Sequence, residues 1–134
     1  MGLVKLLLDT HCWLWLKFDS SRLPSPLRRR LTRRPDDLVL SSASVMELII
    51  KQATGKLSLG AGGTAQFVAE LLDDGVQPLD ATVDHMLCMG GLPALHRDPF
   101  DRLLVAQALV EGLSVVSADP VVLAYDAKSI DART

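Results

Sequence analysis

Short apolar segments that alternate with helical patterns constrain the fold of this chain more than any other feature of its sequence. They predict strands at Leu3–Leu8, Leu38–Ser41, Val76–Leu79 and Ser114–Ser117, with an edge strand at Lys128–Ile130. The first is a run of the kind that is buried on both faces of a parallel sheet. We therefore expect an α/β fold, a three-layer α/β/α sandwich around a mainly parallel, twisted sheet of four to five strands.

Helical patterns fill the intervals between these strands. The expected helices are Thr10–Phe18, Pro26–Arg34, a helix that stops at Gly55, Thr64–Asp74, Ala81–Met89, Pro99–Gly112 and a short turn that starts at Asp119. The third begins either with a capping box from Ser44 to Glu47 or, with a serine N-cap at the end of the preceding strand, about one turn earlier. We expect residues 1–134 to form a single domain.

Composition narrows the class of protein. Hydrophobic residues make up 49% of the chain and charged residues 22%, so we expect a packed core rather than a disordered chain. The spacing of Cys12 and Cys88 fits neither a disulfide framework nor a zinc site, and reduced thiols indicate a cytoplasmic protein. Because no leader pattern and no apolar run of ~20 residues is present, we expect no membrane partner.

Arginines are concentrated in one segment, although the formal net charge of the chain is −2. No acidic residue lies between Asp19 and Asp36. Such a cluster is typical of a surface for RNA phosphates or for an acidic protein partner, and equally of a solvated helix face. Its members are Arg22, Arg28, Arg29, Arg30, Arg33 and Arg34.

The segment His96–Asp101 opens the predicted helix that carries the apolar run Leu103–Val110. Pro99 fits the first helical position, which makes Asp98 the natural N-cap. Asp101 then lies at the third helical position, where the helix dipole favours an ionised carboxylate. Asp98 therefore has a structural role, and Asp101 is available for chemistry.

Three further acids stand at strand or helix ends: Asp9, Glu47 and Asp119. In an open parallel sheet, ligands bind beyond the carboxyl ends of the strands, where the strand order reverses. Four carboxylates at that edge repel one another unless a divalent cation lies among them. Each acid also has a simple capping explanation, so the functional interpretation depends on the whole set.

Such a cluster suits Mg²⁺ or Mn²⁺, which prefer oxygen ligands and can activate water for in-line attack on a phosphodiester. Thr10 and Ser117 are candidates to hydrogen-bond the acids or a metal-bound water. His11 is a candidate to orient a phosphate or water, or else a plain surface imidazole. Arg102 is a candidate to bind substrate phosphate or to form a surface ion pair.

Of the two tryptophans, Trp13 and Trp15, one is expected in the core and the other at an interface.

Four motifs together resemble PIN domains, and in particular VapC-type toxins of bacterial type II toxin–antitoxin systems. They are LLLDTH (Leu6–His11), SSASVMEL (Ser41–Leu48), HRDPFDRLLVAQA (His96–Ala108) and VVSAD (Val115–Asp119). The resemblance covers nearly the whole chain. It implies a Mg²⁺- or Mn²⁺-dependent endoribonuclease with a PIN-like fold.

By this resemblance, the catalytic and metal-binding acids are Asp9, Glu47, Asp101 and Asp119, with Asp98 as a reserve candidate. The resemblance also implies an RNA substrate, a homodimer and a cognate antitoxin protein whose C-terminal segment covers the active-site groove. Two alternatives remain. One is a receiver-like signalling domain, which would need paired acids after the first strand. The other is a PIN-fold binding module without activity.

Overall fold

All five strands of the structure, a computed structural model that describes residues 5–133, belong to one parallel sheet. The strands are β1 (Leu6–Leu8), β2 (Leu38–Ser41), β3 (Gln77–Leu79), β4 (Ser114–Ser117) and β5 (Ser129–Asp131). Their order across the sheet is β3-β2-β1-β4-β5. The predicted α/β fold with a parallel sheet is confirmed.

Seven α-helices connect these strands within the described residues. They are α1 (Thr10–Phe18), α2 (Ser25–Arg33), α3 (Ser42–Ala53), α4 (Gly63–Asp73), α5 (Val83–Gly90), α6 (Pro99–Glu111) and α7 (Pro120–Leu123). Two 3₁₀ turns, Ser20–Arg22 and Pro35–Asp37, flank α2. Most predicted bounds are within two residues of those observed, and Leu3 and Val4 of the first predicted strand lie outside the described residues.

The predicted capping box between Ser44 and Glu47 is wrong. Strand β2 passes directly into α3, and the Ser41 side chain caps the helix by accepting a hydrogen bond from the Ala43 N–H at 3.0 Å. Ser44 lies inside the helix, where its hydroxyl accepts from Thr10 Oγ1 at 3.0 Å. Glu47 therefore lies a turn further into the helix, with no capping duty.

The side chains of the central strand divide the core between the two faces of the sheet. Leu6 and Leu8 pack in one cluster with residues of α1, α2, α3 and α4, and Leu7 packs in a second cluster with residues of α6 and α7. Alternate side chains of a strand point to opposite faces, so a strand buried on both faces is apolar throughout. This is the three-layer arrangement that the sequence predicts.

One of the two tryptophans lies in the core, as expected, and the other lies at the surface, where an interface remains a prediction. Trp13 is fully buried in the cluster that covers Leu6 and Leu8. Trp15 is partly exposed, and the Arg22 guanidinium lies 5.0 Å from its ring centroid.

None of the helices in the described part of the chain has the length and apolar character needed to cross a bilayer.

The strand order reverses next to β1. From β1 the chain builds β2 and β3 on one side, and it then returns through α5 and α6 to place β4 on the other side of β1. The carboxyl ends of β1 and β4 consequently lie side by side, with Asp9 just after one and Asp119 two residues after the other. A crevice at such a reversal is the usual ligand site of an open parallel sheet.

Candidate active site

Asp9 is held rigidly at the carboxyl end of β1. Its side chain is only 4% exposed and caps α1, with Oδ1 accepting from the Cys12 N–H at 2.8 Å. Oδ2 accepts from the Ser117 hydroxyl at 2.6 Å. The predicted cap and the predicted site residue are thus the same carboxylate, whose position is fixed by two donors.

Ser117 connects Asp9 to Asp119. The fully buried Ser117 hydroxyl donates to Asp9 and accepts a hydrogen bond from the Asp119 N–H at 3.0 Å. Asp119 also caps α7, because its Oδ1 accepts from the Val121 N–H at 2.8 Å. The sequence predicts that Ser117 hydrogen-bonds the acids, and its hydroxyl does bond the Asp9 carboxylate and the Asp119 backbone.

Asp98 has the capping role that the sequence predicts. Its Oδ1 accepts from the Phe100 N–H at 2.8 Å and from the Asp101 N–H at 3.4 Å, which fixes the first turn of α6. The Asp98 N–H in turn donates to His96 Nδ1 at 3.1 Å. A neutral imidazole that accepts at Nδ1 carries its proton on Nε2.

His96 joins two of the predicted acids. Its Nε2 lies 3.1 Å from Asp101 Oδ2 and 2.9 Å from Asp119 Oδ2, so that one N–H is shared between the two carboxylates. These three side chains also place one potential ligand atom each within 4.8 Å of one another. With Nδ1 occupied by the Asp98 N–H, His96 acts as a donor to the acids, and the metal-binding capacity of the group resides in the carboxylates.

Asp101 and Asp119 have opposite electrostatic environments. Burial, together with the negative charges of Asp98, Asp9 and Glu47, raises the pKa of Asp101 to about 7, against a smaller opposing effect of His96. At Asp119, desolvation by burial is outweighed by hydrogen bonds from His96 and from the Val121 N–H, and the pKa falls below its ordinary value. The raised pKa of Asp101 is the effect expected for a buried carboxyl group among other carboxylates.

Glu47 approaches the same cluster from α3. It is 5% exposed, and its Oε2 pairs with Lys51 Nζ at 3.0 Å, one helical turn later. Its Oε1 is buried and has no hydrogen-bond partner within residues 5–133. The hydrogen bond from Thr10 to Ser44 ties α1 to α3 and so fixes the helix that carries Glu47.

Two predicted substrate residues are placed elsewhere. His11 is exposed, and its ring lies 6.2 Å from that of Trp15. Arg102 donates to the carbonyl oxygens of Met89 at 2.9 Å and Pro93 at 3.0 Å, and to Tyr125 Oη at 3.3 Å. It thereby holds the loop between α5 and α6, and it forms no ion pair among the described residues.

Sequence reasoning missed two members of this site, His96 and Lys51. The spacing of Lys51, four residues after Glu47, is a recognised signal for a helical ion pair. No comparable signal exists for His96, because its position depends on the loop conformation. That loop is fixed by Arg102 and by Tyr125 Oη, which accepts a hydrogen bond from the His96 N–H at 2.9 Å.

A known family model covers the part of the chain that forms β1 to β4 and the helices. The family model described as "PIN domain" matches residues 6–128, and the chain belongs to the PIN domain family. No curated protein matches the chain.

Solved structures share the fold over almost the entire chain. A chain of the DNA-bound VapBC complex from Salmonella typhimurium is 22% identical with a TM-score of 0.71, and the match covers 96% of this chain and 98% of that one. A chain of VapBC2 from Rickettsia felis, bound to promoter DNA, is 13% identical with a TM-score of 0.74 and the same coverage. A chain of VapBC-5 from Mycobacterium tuberculosis is 17% identical with a TM-score of 0.58, covering 99% of this chain and 100% of that one.

Proposed function

We propose that this protein is the toxin component of a type II toxin–antitoxin system, a Mg²⁺- or Mn²⁺-dependent endoribonuclease that hydrolyses RNA phosphodiester bonds. The observation that carries this proposal is the convergence of Asp9, Glu47, Asp101 and Asp119 on the carboxyl edge of β1 and β4. Hydrogen bonds join Asp9, Ser117 and Asp119, and His96 joins Asp119 to Asp101. Glu47 is close enough to raise the pKa of Asp101.

The side chains present fit a hard divalent cation. All the candidate ligands are carboxylate oxygens, which Mg²⁺ and Mn²⁺ prefer. Glu47 Oε1 is buried without a hydrogen-bond partner among the described residues, which is costly unless a ligand occupies it. The pKa of Asp101 is raised first by burial and then by the negative charges of Asp98, Asp9 and Glu47, and a cation bound among these acids would offset that charge.

The metal would supply electrostatic stabilisation of the phosphate and of an attacking water. The chain's own residues prepare the site for it. The Cys12 N–H and the Ser117 hydroxyl orient the Asp9 carboxylate, and the Val121 N–H orients that of Asp119. Preorganised carboxylates reduce the reorganisation that accompanies charge development in the reaction.

We also propose an antitoxin partner, a homodimeric state and a cytoplasmic location for the protein. The likeness to chains of VapBC complexes supports the antitoxin. A partner subunit is supported by exposed apolar side chains on α5, among them Val83 and Leu87. Membership of the PIN domain family leaves the receiver-like alternative without support. The remaining alternative, a PIN-fold binding module without activity, is the one that the experiment must distinguish from a nuclease.

The test is cleavage of structured RNA by the wild type and three Asn variants. We expect cleavage in Mg²⁺ or Mn²⁺ and none in EDTA. Asp9→Asn and Asp101→Asn should lower the rate at least about 100-fold, whereas Asp126→Asn, at an exposed acid after α7, should leave it unchanged. Circular dichroism checks that each variant is folded. Wild-type protein that binds Mn²⁺ and yet cuts no RNA would support the binding module.

A further inference from the structure

A groove opens beside the carboxylate cluster, between α3 and the start of α6. It encloses about 390 Å³. Its charged residues are Glu47, Lys51, Lys56, Arg97 and Asp98. We call it the α3–α6 groove. It shares Glu47 with the candidate active site and also contains Asp98, the N-cap of α6, so it borders the carboxylate cluster.

The two acids of the groove are already engaged. Glu47 pairs with Lys51 at 3.0 Å, and Asp98 accepts hydrogen bonds from the first turn of α6. Lys56 and Arg97 are exposed and have no carboxylate within ion-pair distance among residues 5–133. The groove therefore offers two uncompensated positive charges next to a negative site.

The backbone fixes the position of Lys56. Gly55 has φ +75°, a left-handed conformation that favours glycine, and it ends α3. The Lys56 N–H donates to the Lys51 carbonyl at 2.9 Å and the Gly55 N–H to the Gln52 carbonyl at 3.2 Å, which are the two hydrogen bonds of a Schellman motif. Lys56 is thus presented from a defined turn at the carboxyl end of α3.

The groove also has an apolar surface, supplied by Ile50 and Phe100. Aromatic side chains provide stacking platforms for bases in proteins that bind single-stranded nucleic acid, and flanking cations contact the phosphates. A polyanion with flat apolar bases matches both properties of the groove.

We propose that the α3–α6 groove binds single-stranded RNA next to the scissile phosphate, with Lys56 and Arg97 contacting backbone phosphates and Phe100 contacting a base. This inference rests on the proposed function for the choice of RNA. The arginines of α2 are a weaker candidate surface. The far end of α2, at Arg33, leads through Pro35–Asp37 into the amino end of β2, which is the sheet edge opposite to the acids.

The test is fluorescence anisotropy with a labelled single-stranded RNA of about 12 nucleotides in EDTA, so that binding is measured without cleavage. Lys56→Glu and Arg97→Glu are compared with two controls that make the same change in charge. Lys128→Glu lies at the amino end of β5, and Arg33→Glu lies on α2. Both control side chains are exposed and unpaired within residues 5–133.

We expect Lys56→Glu and Arg97→Glu each to weaken RNA binding at least about fivefold at about 50 mM salt, and the controls to change it less than about twofold. Neutral variants, Lys56→Gln and Arg97→Gln, should each reduce the slope of log K against log salt by about 0.7. Phe100→Leu should weaken binding with the slope unchanged.

Equal losses in all four charge-reversal variants would overturn the proposal, because they would reflect net charge alone. A larger loss of RNA affinity in Arg33→Glu than in Lys56→Glu and Arg97→Glu would overturn the proposal and indicate that RNA binds at α2. Absence of wild-type binding at about 50 mM salt would overturn it as well. If the protein binds RNA through the groove but never cuts it, this proposal holds and the proposed function fails. If the protein cuts RNA but the groove variants bind RNA as well as the wild type does, the proposed function holds and this proposal fails.

Discussion

The hydroxyl of Ser117 donates a hydrogen bond to Asp9 Oδ2 over 2.6 Å, although the two residues are 108 positions apart in the chain. The same oxygen accepts from the Asp119 N–H. One buried side chain thus aligns the carboxyl ends of β1 and β4.

Replacing this hydroxyl should destabilise the fold. Ser117→Ala leaves a buried carboxylate oxygen without its donor, and we expect a loss of about 1–3 kcal/mol in the free energy of unfolding. Urea denaturation measures it. Ser114→Ala is the matched control in the same strand, because that hydroxyl makes no hydrogen bond within residues 5–133, and it should change stability by less than about 0.5 kcal/mol. Equal effects of the two changes would contradict a special role for Ser117.

Stability should depend on pH through Asp101. Its pKa is raised from 3.8 to about 7 in the fold, so the folded state keeps a proton that the unfolded state releases. The resulting stability is present below pH ~4 and is lost as the pH rises through about 7. Asp101→Asn resembles the protonated carboxyl, and it should match the wild type near pH 4.

At pH 8 without metal, the free energy of unfolding of Asp101→Asn should exceed that of the wild type by an amount on the order of 4 kcal/mol. Chemical denaturation across this pH range measures the difference. Asp126→Asn, at an exposed acid, should follow the wild type at every pH. A constant offset between Asp101→Asn and the wild type would contradict the raised pKa.

Divalent cations should stabilise the protein. A metal that binds only the folded state at 100 times its Kd adds about 2.7 kcal/mol. We expect Mg²⁺ or Mn²⁺ to raise the Tm of the wild type by several degrees over a monovalent salt of equal ionic strength, and to raise that of Asp126→Asn equally. Asp119→Asn should lose most of this increase. An unchanged Tm in wild-type protein would count against a metal among the acids.

His96 should stabilise the metal-free site. His96→Ala removes the N–H that Asp101 and Asp119 share, and we expect a loss of about 1–3 kcal/mol in EDTA. The pKa of Asp119 should rise, because the His96 hydrogen bond helps to hold it down. Carboxyl NMR titration measures this change. His11→Ala, on the exposed face of α1, is the control and should alter neither quantity.

Features governed by local rules could be read from the sequence. The pairing of Asp98 with Pro99 predicts the cap that opens α6, and the apolar runs predict β2 and β4 to the residue. Because carboxyl ends of parallel strands share one edge, these elements also predict that Asp9 and Asp119 lie together.

Features set by tertiary contacts could not be read in this way. Ser44 matches a capping box locally, yet it lies inside α3 because Ser41 ends the strand and caps the helix first. His96 reaches the acids because Arg102 and Tyr125 fix the preceding loop. The first outcome depends on where β2 ends, and the second depends on Tyr125, which is 29 positions from His96 in the chain.

The strand order has a consequence for when the carboxylate cluster can assemble during synthesis. Asp9 is synthesised early, whereas its hydrogen-bond donor Ser117 follows 108 positions later, just before Asp119. A nascent or prematurely terminated polypeptide that stops before β4 lacks the strand that pairs with β1 on the side of Asp119, and it lacks the Asp119 carboxylate itself. The four-acid cluster therefore cannot assemble until β4 and Asp119 have been synthesised.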